Sequence, residues 1–204
     1  HNRKKWAMYE AFKNITLNNI DVNSQLKIAF FYLGRNNFKK AIQYSSLAVK
    51  QIYSEENLNS EKSDNVHKVI HYFTLAAEQN YSEAQFILGL IYDNNIYVSR
   101  DVNKSIHYFT LAANQNHPGA QFMLGLIYDK NVYVSRNINK SIHYFTLAAN
   151  QNHPDAQFIL GVIYNKGEYI SMDIDKAIHY YKLAAKQNHP DAQYNLGSIY
   201  NGNK

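Results

Sequence analysis

The chain reads as an all-α protein, an α-solenoid of antiparallel helix pairs, on three observations. The run Ala84-Gln85-Phe86-Ile87-Leu88-Gly89-Leu90-Ile91-Tyr92 returns from Ala120, Ala156 and Ala192, each 36 residues further on. A second run, Ile70-His71-Tyr72-Phe73-Thr74-Leu75-Ala76-Ala77, returns from Ile106, Ile142 and, varied, Ile178, with the same period. The two runs alternate across one long polar loop and one short corner, as antiparallel helices require. A fixed period of this size marks units that bury their apolar faces only by stacking on one another.

In chain order, Trp6 to Asn14 and Asn23 to Leu33 read as two helices. Phe38 to Tyr53 reads as a third, with Ala41, Ile42, Tyr44, Leu47 and Ala48 inward. The stretch Leu33-Gly34-Arg35-Asn36-Asn37-Phe38-Lys39-Lys40-Ala41-Ile42 resembles a tetratricopeptide corner, which would make Phe38–Tyr53 the second helix of a pair. Loop length argues that it is the first. The long polar loop Ser54 to Asn65 follows it, so it pairs with a helix at about 65–79. Residues 1–63 are thus an irregular, tetratricopeptide-like region. Residues 64–204 are the regular array, expected to be truncated after one last first-type helix.

Residues 82–117 make the type unit. Ser82 to Asp93 forms helix A, with Phe86, Leu88, Leu90, Ile91 and Tyr92 apolar and Ala84 and Gly89 small. A mid-helix glycine costs about 1 kcal/mol relative to alanine. Its return at Gly125, Gly161 and Gly197 therefore implies close packing. A polar loop, 94–100, follows, with Val98 expected inward. Asp101 or Asn103 caps helix B, which runs to about Gln115 with Ser105, Ile106, Tyr108, Phe109, Ala112 and Ala113 inward. Asn116-His117-Pro118 is a corner. Asn tolerates the left-handed conformation that ends many helices, and Pro fits the first turn of the next one. Glu83, Asp155 and Asp191 sit in first turns, where the helix dipole favours anions.

These two runs, joined by their loop, resemble the Sel1-like repeat, a relative of the tetratricopeptide repeat, over about 64–204. Two loop glycines usual in that family are Asn95, Asn131 or Gly167 and Tyr97, Tyr133 or Tyr169 here. The glycine after helix B is Asn116, Asn152 or Asn188. The resemblance implies a protein–protein interaction scaffold whose concave face, lined by helices A, takes a peptide or protein. The positions it points to are Glu83, Phe86, Ile87, Leu90, Asp93 and Asn94, with Phe122, Met123, Leu126, Phe158, Ile159 and Asn195 as equivalents. Members that clamp a peptide backbone often carry Asn where this chain has Ile87, Met123 and Ile159, and only Asn195 keeps it. An apolar groove is therefore expected in place of a polar clamp. The competing reading makes Phe86, Phe122 and Phe158 core. Arrays of this kind are also found joined to catalytic domains, kinases included, so a regulatory or targeting segment of a larger enzyme is the alternative function.

A second candidate edge is the set of loop tyrosines Tyr97, Tyr133 and Tyr169 with Arg100 and Arg136. Aromatic and Arg side chains are the types that dominate interfaces. The competing reading packs each ring on its neighbour's loop.

Composition narrows the classes. The net charge is +5, and residues 1–65 hold ten Lys and Arg against six Asp and Glu. The array itself has no dense basic stripe, which disfavours a nucleic-acid surface. No run of about 18 apolar residues is present, so no membrane span is expected. No secretory signal opens the chain. His1 and the stop at Lys204 suggest an excised fragment. The absence of cysteine fits a reducing compartment and favours a cytoplasmic setting. Two histidine ladders, His71, His107, His143, His179 and His117, His153, His189, follow the repeat. Equivalent residues of stacked helices stand about 10 Å apart, too far to share one ion at about 2 Å. They read as structural or solvent-facing, with no metal and no cofactor. No phosphate loop, HExxH or GxSxG motif occurs, so no catalysis is expected. A last helix A with no helix B against it should associate weakly with itself or fray.

Overall fold

The computed structural model describes residues 22–33, 40, 43–44, 47, 60–93, 99–130 and 134–202. Its helices are α1 (Val22–Leu33), α2 (Ser60–Glu78), α3 (Ser82–Asp93), α4 (Val102–Asn114) and α5 (Pro118–Asp129). They continue with α6 (Ile138–Asn150), α7 (Pro154–Lys166), α8 (Ile174–Lys186) and α9 (Pro190–Gly202). No strand occurs among the described residues. The chain is an all-α solenoid of adjacent packed helix pairs. The expected helix at Trp6–Asn14, most of Phe38–Tyr53 and the loop residues 94–98 and 131–133 lie outside the described residues.

The helix expected at about 65–79 begins at Ser60, five residues early. Polarity alone does not mark the stretch Ser60-Glu61-Lys62-Ser63-Asp64 as loop, since Glu and Lys have good intrinsic helix propensity. Backbone contacts divide the chain into two compact units, residues 1–84 and 85–204. In the first, α1 packs on α2. Ile28 and Ala29 are buried on α1, as are Val69, Phe73, Ala76 and Ala77 on α2.

The second unit repeats one set of joints. Helix A meets helix B by a ring seated over a glycine. A Cβ on Gly125 would lie 2.6 Å from the Phe145 ring, and one on Gly161 2.6 Å from Tyr181. Gly89 faces Phe109 at 2.5 Å in the same way. This is the packing reason that offsets the propensity cost of glycine. Helix B starts on a side-chain cap: Asp101, Asn137 and Asp173 accept from the N–H of Lys104, Lys140 and Lys176 at 3.0, 3.0 and 2.9 Å. The backbone N–H bonds hold the Asp101 and Asp173 carboxyls below the usual carboxylate range.

Helix B ends on an asparagine in the left-handed region. Asn80, Asn116, Asn152 and Asn188 have φ of 61°, 61°, 62° and 63°. The N–H of His117 then reaches back to the Ala112 carbonyl at 3.1 Å, closing a six-residue turn. Pro118 and Pro154 follow at the first turns of α5 and α7. Val134, the counterpart of Val98, packs onto the core around Phe109, while Val98 itself lies outside the described residues.

Candidate functional site

Helix A carries apolar side chains on two sides, and each side faces a different neighbour. On α5, Met123 and Tyr128 pack onto the cluster around Phe109, Leu124 and Ile127. Phe122 and Leu126, on the same helix, pack onto the next cluster, around Phe145 and Leu160. One helix later, Ile159 packs back onto that second cluster and Phe158 forward onto Tyr181. Phe86, Phe122 and Phe158 are all half-buried. Their rings stack on His117, His153 and His189 with centroids 4.5, 4.5 and 4.6 Å apart. They also tilt against Phe109, Phe145 and Tyr181. Their geometry is that of joints between helices.

Ile87, Met123, Leu126 and Ile159 are half-buried, while Leu90 is 37% exposed and Glu83 is exposed in the first turn of α3. Directly beside Leu90, Leu88 and Gly89 are buried. Asp93 is tied to Arg100 and Asp129 to Arg136, the latter pair at 2.8 Å. Asn195 donates from Nδ2 to the Tyr181 hydroxyl at 3.3 Å. Tyr181 is the B-helix ring that replaces Phe109 and Phe145, so the asparagine appears where the ring gains a hydroxyl. Burial raises the Tyr181 pKa, opposed by the Asn195 bond.

Of the loop edge, Tyr97 and Tyr133 lie outside the described residues. Tyr169 is 51% exposed, and the Arg136 guanidinium lies 3.8 Å from its ring centroid. Hydrogen bonds to Asp129 and then Tyr169 raise the Arg136 pKa. Met172, at the position of Arg100 and Arg136, is 63% exposed. It edges a cleft of about 430 Å³ with Ile142, Tyr164, Ile170 and Lys176.

Two ladders escaped the sequence reading. Gln115, Gln151 and Gln187 donate to the buried Gln85, Gln121 and Gln157 at 2.7, 2.7 and 2.8 Å. Gln121 and Gln157 donate in turn to Ala113 and Ala149 carbonyls. Tyr92, Tyr128 and Tyr164 stack on Tyr108, Tyr144 and Tyr180 at 5.9 Å, each under a lysine, Lys104, Lys140 or Lys176. The strict return of Gln and Tyr at these positions was the available signal. Among the described residues no three His, Asp or Glu groups gather as a metal site. None of the described helices is long and apolar enough to cross a membrane.

The Sel1 repeat family model matches residues 65–81, 82–117, 118–153, 154–189 and 190–203. The chain belongs to the Sel1 repeat family. The matched unit 82–117 is the type unit read from the sequence. Among solved structures, a Sel1 repeat protein from Oxalobacter formigenes is 28% identical with a TM-score of 0.58, over 62% of this chain and 95% of that one. A protective antigen of uropathogenic Escherichia coli with the same repeat fold is 25% identical with a TM-score of 0.63, over 88% of this chain. This chain spans 41% of the length of that antigen. Helicobacter pylori cysteine-rich protein B shares the fold at 23% identity, with a TM-score of 0.51, over 64% of this chain and 93% of that one. No curated protein matches the chain. Sel1 repeats generally mediate protein–protein interaction and typically form a non-catalytic scaffold.

Proposed function

We propose that this Sel1 array is an adaptor that binds a protein or peptide partner along the concave face of its A helices. The supporting observation is Leu90, 37% exposed beside the fully buried Leu88. Helix A thus offers aliphatic surface beyond what its own core uses. Ile87, Met123, Leu126 and Ile159 extend that surface at repeat spacing, each half-open. Glu83 and Asp93 edge it with charge. Desolvating such half-open aliphatic groups is what a partner gains from, at about 25 cal/mol per Å² buried. Shape and apolar contact carry the discrimination along this aliphatic surface, and the Asn195 amide is engaged by Tyr181.

The test places a photo-crosslinking residue at Leu90 or Leu126, and as control at His143 on the exposed side of α6. A binder isolated from the source cell should crosslink from the first two positions and not from the third. Crosslinking from His143 alone would move the site to the B helices. A further probe at Tyr169 or Met172 that alone captured the binder would move the site to the loop edge, where both side chains are exposed. Replacing Leu90 with Arg should abolish binding and leave the melting temperature nearly unchanged, because an exposed side chain carries little packing energy.

A further inference from the structure

The three corner histidines are helix caps that work only when neutral. His117 Nδ1 accepts the N–H of Ala120 at 3.2 Å, His153 Nδ1 that of Ala156 at 3.4 Å, and His189 Nδ1 that of Ala192 at 3.3 Å. An imidazole nitrogen that accepts a hydrogen bond carries no proton, so the proton sits on Nε2. Protonating Nδ1 replaces an acceptor with a donor that points at the positive end of a helix. The ring has little room to turn away, because it lies flat on the phenylalanine of the preceding A helix.

Asp155 faces two of these rings. Its Oδ1 is 3.3 Å from His189 Nε2, and its Oδ2 is 4.0 Å from His153 Nδ1. The preceding helix offers His153 the phenyl face of Phe122. At the equivalent position one repeat earlier the chain has Gly119. The side chain of His153 is 19% exposed, and desolvation lowers its pKa against the opposing pull of Asp155.

We propose that the His153 cap makes the residue 85–204 array an acid-sensitive scaffold, in which protonation of His153 uncaps α7 and loosens the joint between α5 and α7. The inference concerns the fold and stands whether or not a partner binds the A helices. The sign follows from the lowered pKa. Below the unfolded value, about 6.5, the unfolded chain holds its proton while the folded corner resists it. The cap's contribution is complete above that value. It drains away as pH falls from there through the folded value, and lower pH removes no more of it.

Thermal unfolding of the 204-residue chain followed by circular dichroism at pH 7.5 and pH 5.5 tests this. The comparison is His153→Asn, since Asn caps helices and does not titrate. Wild type should lose about 2 °C or more in melting temperature between the two pH values, and the Asn variant should lose clearly less. Parallel losses would overturn the proposal. Should the variant not fold, NMR titration of the His153 imidazole in the wild-type chain decides. A midpoint below 6.5 supports the proposal, and one at or above 6.5 overturns it. Asp155→Asn removes the carboxylate that favours the charged form of His153, so it should deepen the acid loss. A shallower loss in that variant counts against the proposal.

Discussion

The pair α5 and α6 and the pair α7 and α8 share a backbone and differ in chemistry. In both, a helix-A glycine receives a helix-B ring with the same 2.6 Å approach. In the first pair the ring is Phe145, and in the second it is Tyr181. The hydroxyl of Tyr181 is inside the protein and needs a partner. It finds one in Asn195, at the position filled by Ile87, Met123 and Ile159 elsewhere. The loop changes in the same paired way. Asp129 and Arg136 form an ion pair, while their counterparts are Asn165 and Met172, neutral together. The joint between helices is constant, and polar groups around it change in matched sets.

The comparison breaks most visibly at the glycines. Gly125→Leu places a Cβ and more against the Phe145 ring, and overpacking of this kind costs about 1–3 kcal/mol or more. Urea unfolding should show the midpoint fall sharply, or the array fail to fold. Gly197 has the same sequence context but nothing within 4 Å. Gly197→Ala should therefore raise stability, by up to about 1 kcal/mol of helix propensity. Equal effects at both sites would show that the glycines serve backbone flexibility and no ring.

The next effect is the matched pair. Asn195→Ile leaves the buried Tyr181 hydroxyl unsatisfied, at a cost of about 1–3 kcal/mol. Adding Tyr181→Phe recreates the chemistry of the preceding joint and should recover most of that loss. A double-mutant cycle measures the coupling. Additive losses would mean that the two positions do not interact. Smallest is Arg136→Ala, which removes an exposed ion pair with Asp129 and the contact with Tyr169. Exposed pairs contribute little, so the unfolding midpoint should stay within error.

Helix positions were legible because they rest on local chemistry repeated in register. Ser82–Asp93 was read to the residue from its apolar run. The left-handed Asn116, Asn152 and Asn188 were legible because Asn is the non-glycine residue that best tolerates that backbone. Asp101 was legible as a cap, while the same role for His117 was not, since imidazole caps are unusual and need the stacking phenylalanine to orient them. Neither was the glutamine ladder, because polar residues in a polar chain carry no sign of burial. Gln121 is fully buried, and it is satisfied by Gln151 thirty residues on and by the Ala113 carbonyl across the corner.

By itself the sequence determined the helices of the repeat array and their antiparallel alternation, which follow from a 36-residue period and from short-range turn and cap chemistry, and its two motifs carried the resemblance to the family. Tertiary structure alone decided which side chains of helix A remain open. An A helix sits between two neighbours, so its apolar residues point to three surroundings: the joint behind, the joint ahead and solvent. Hydrophobicity is the same in all three, and the helical period resolves direction without saying what stands there. Phe122 and Leu90 look alike in a string of letters. They differ because a histidine and a phenylalanine ring close over one and nothing covers the other as fully.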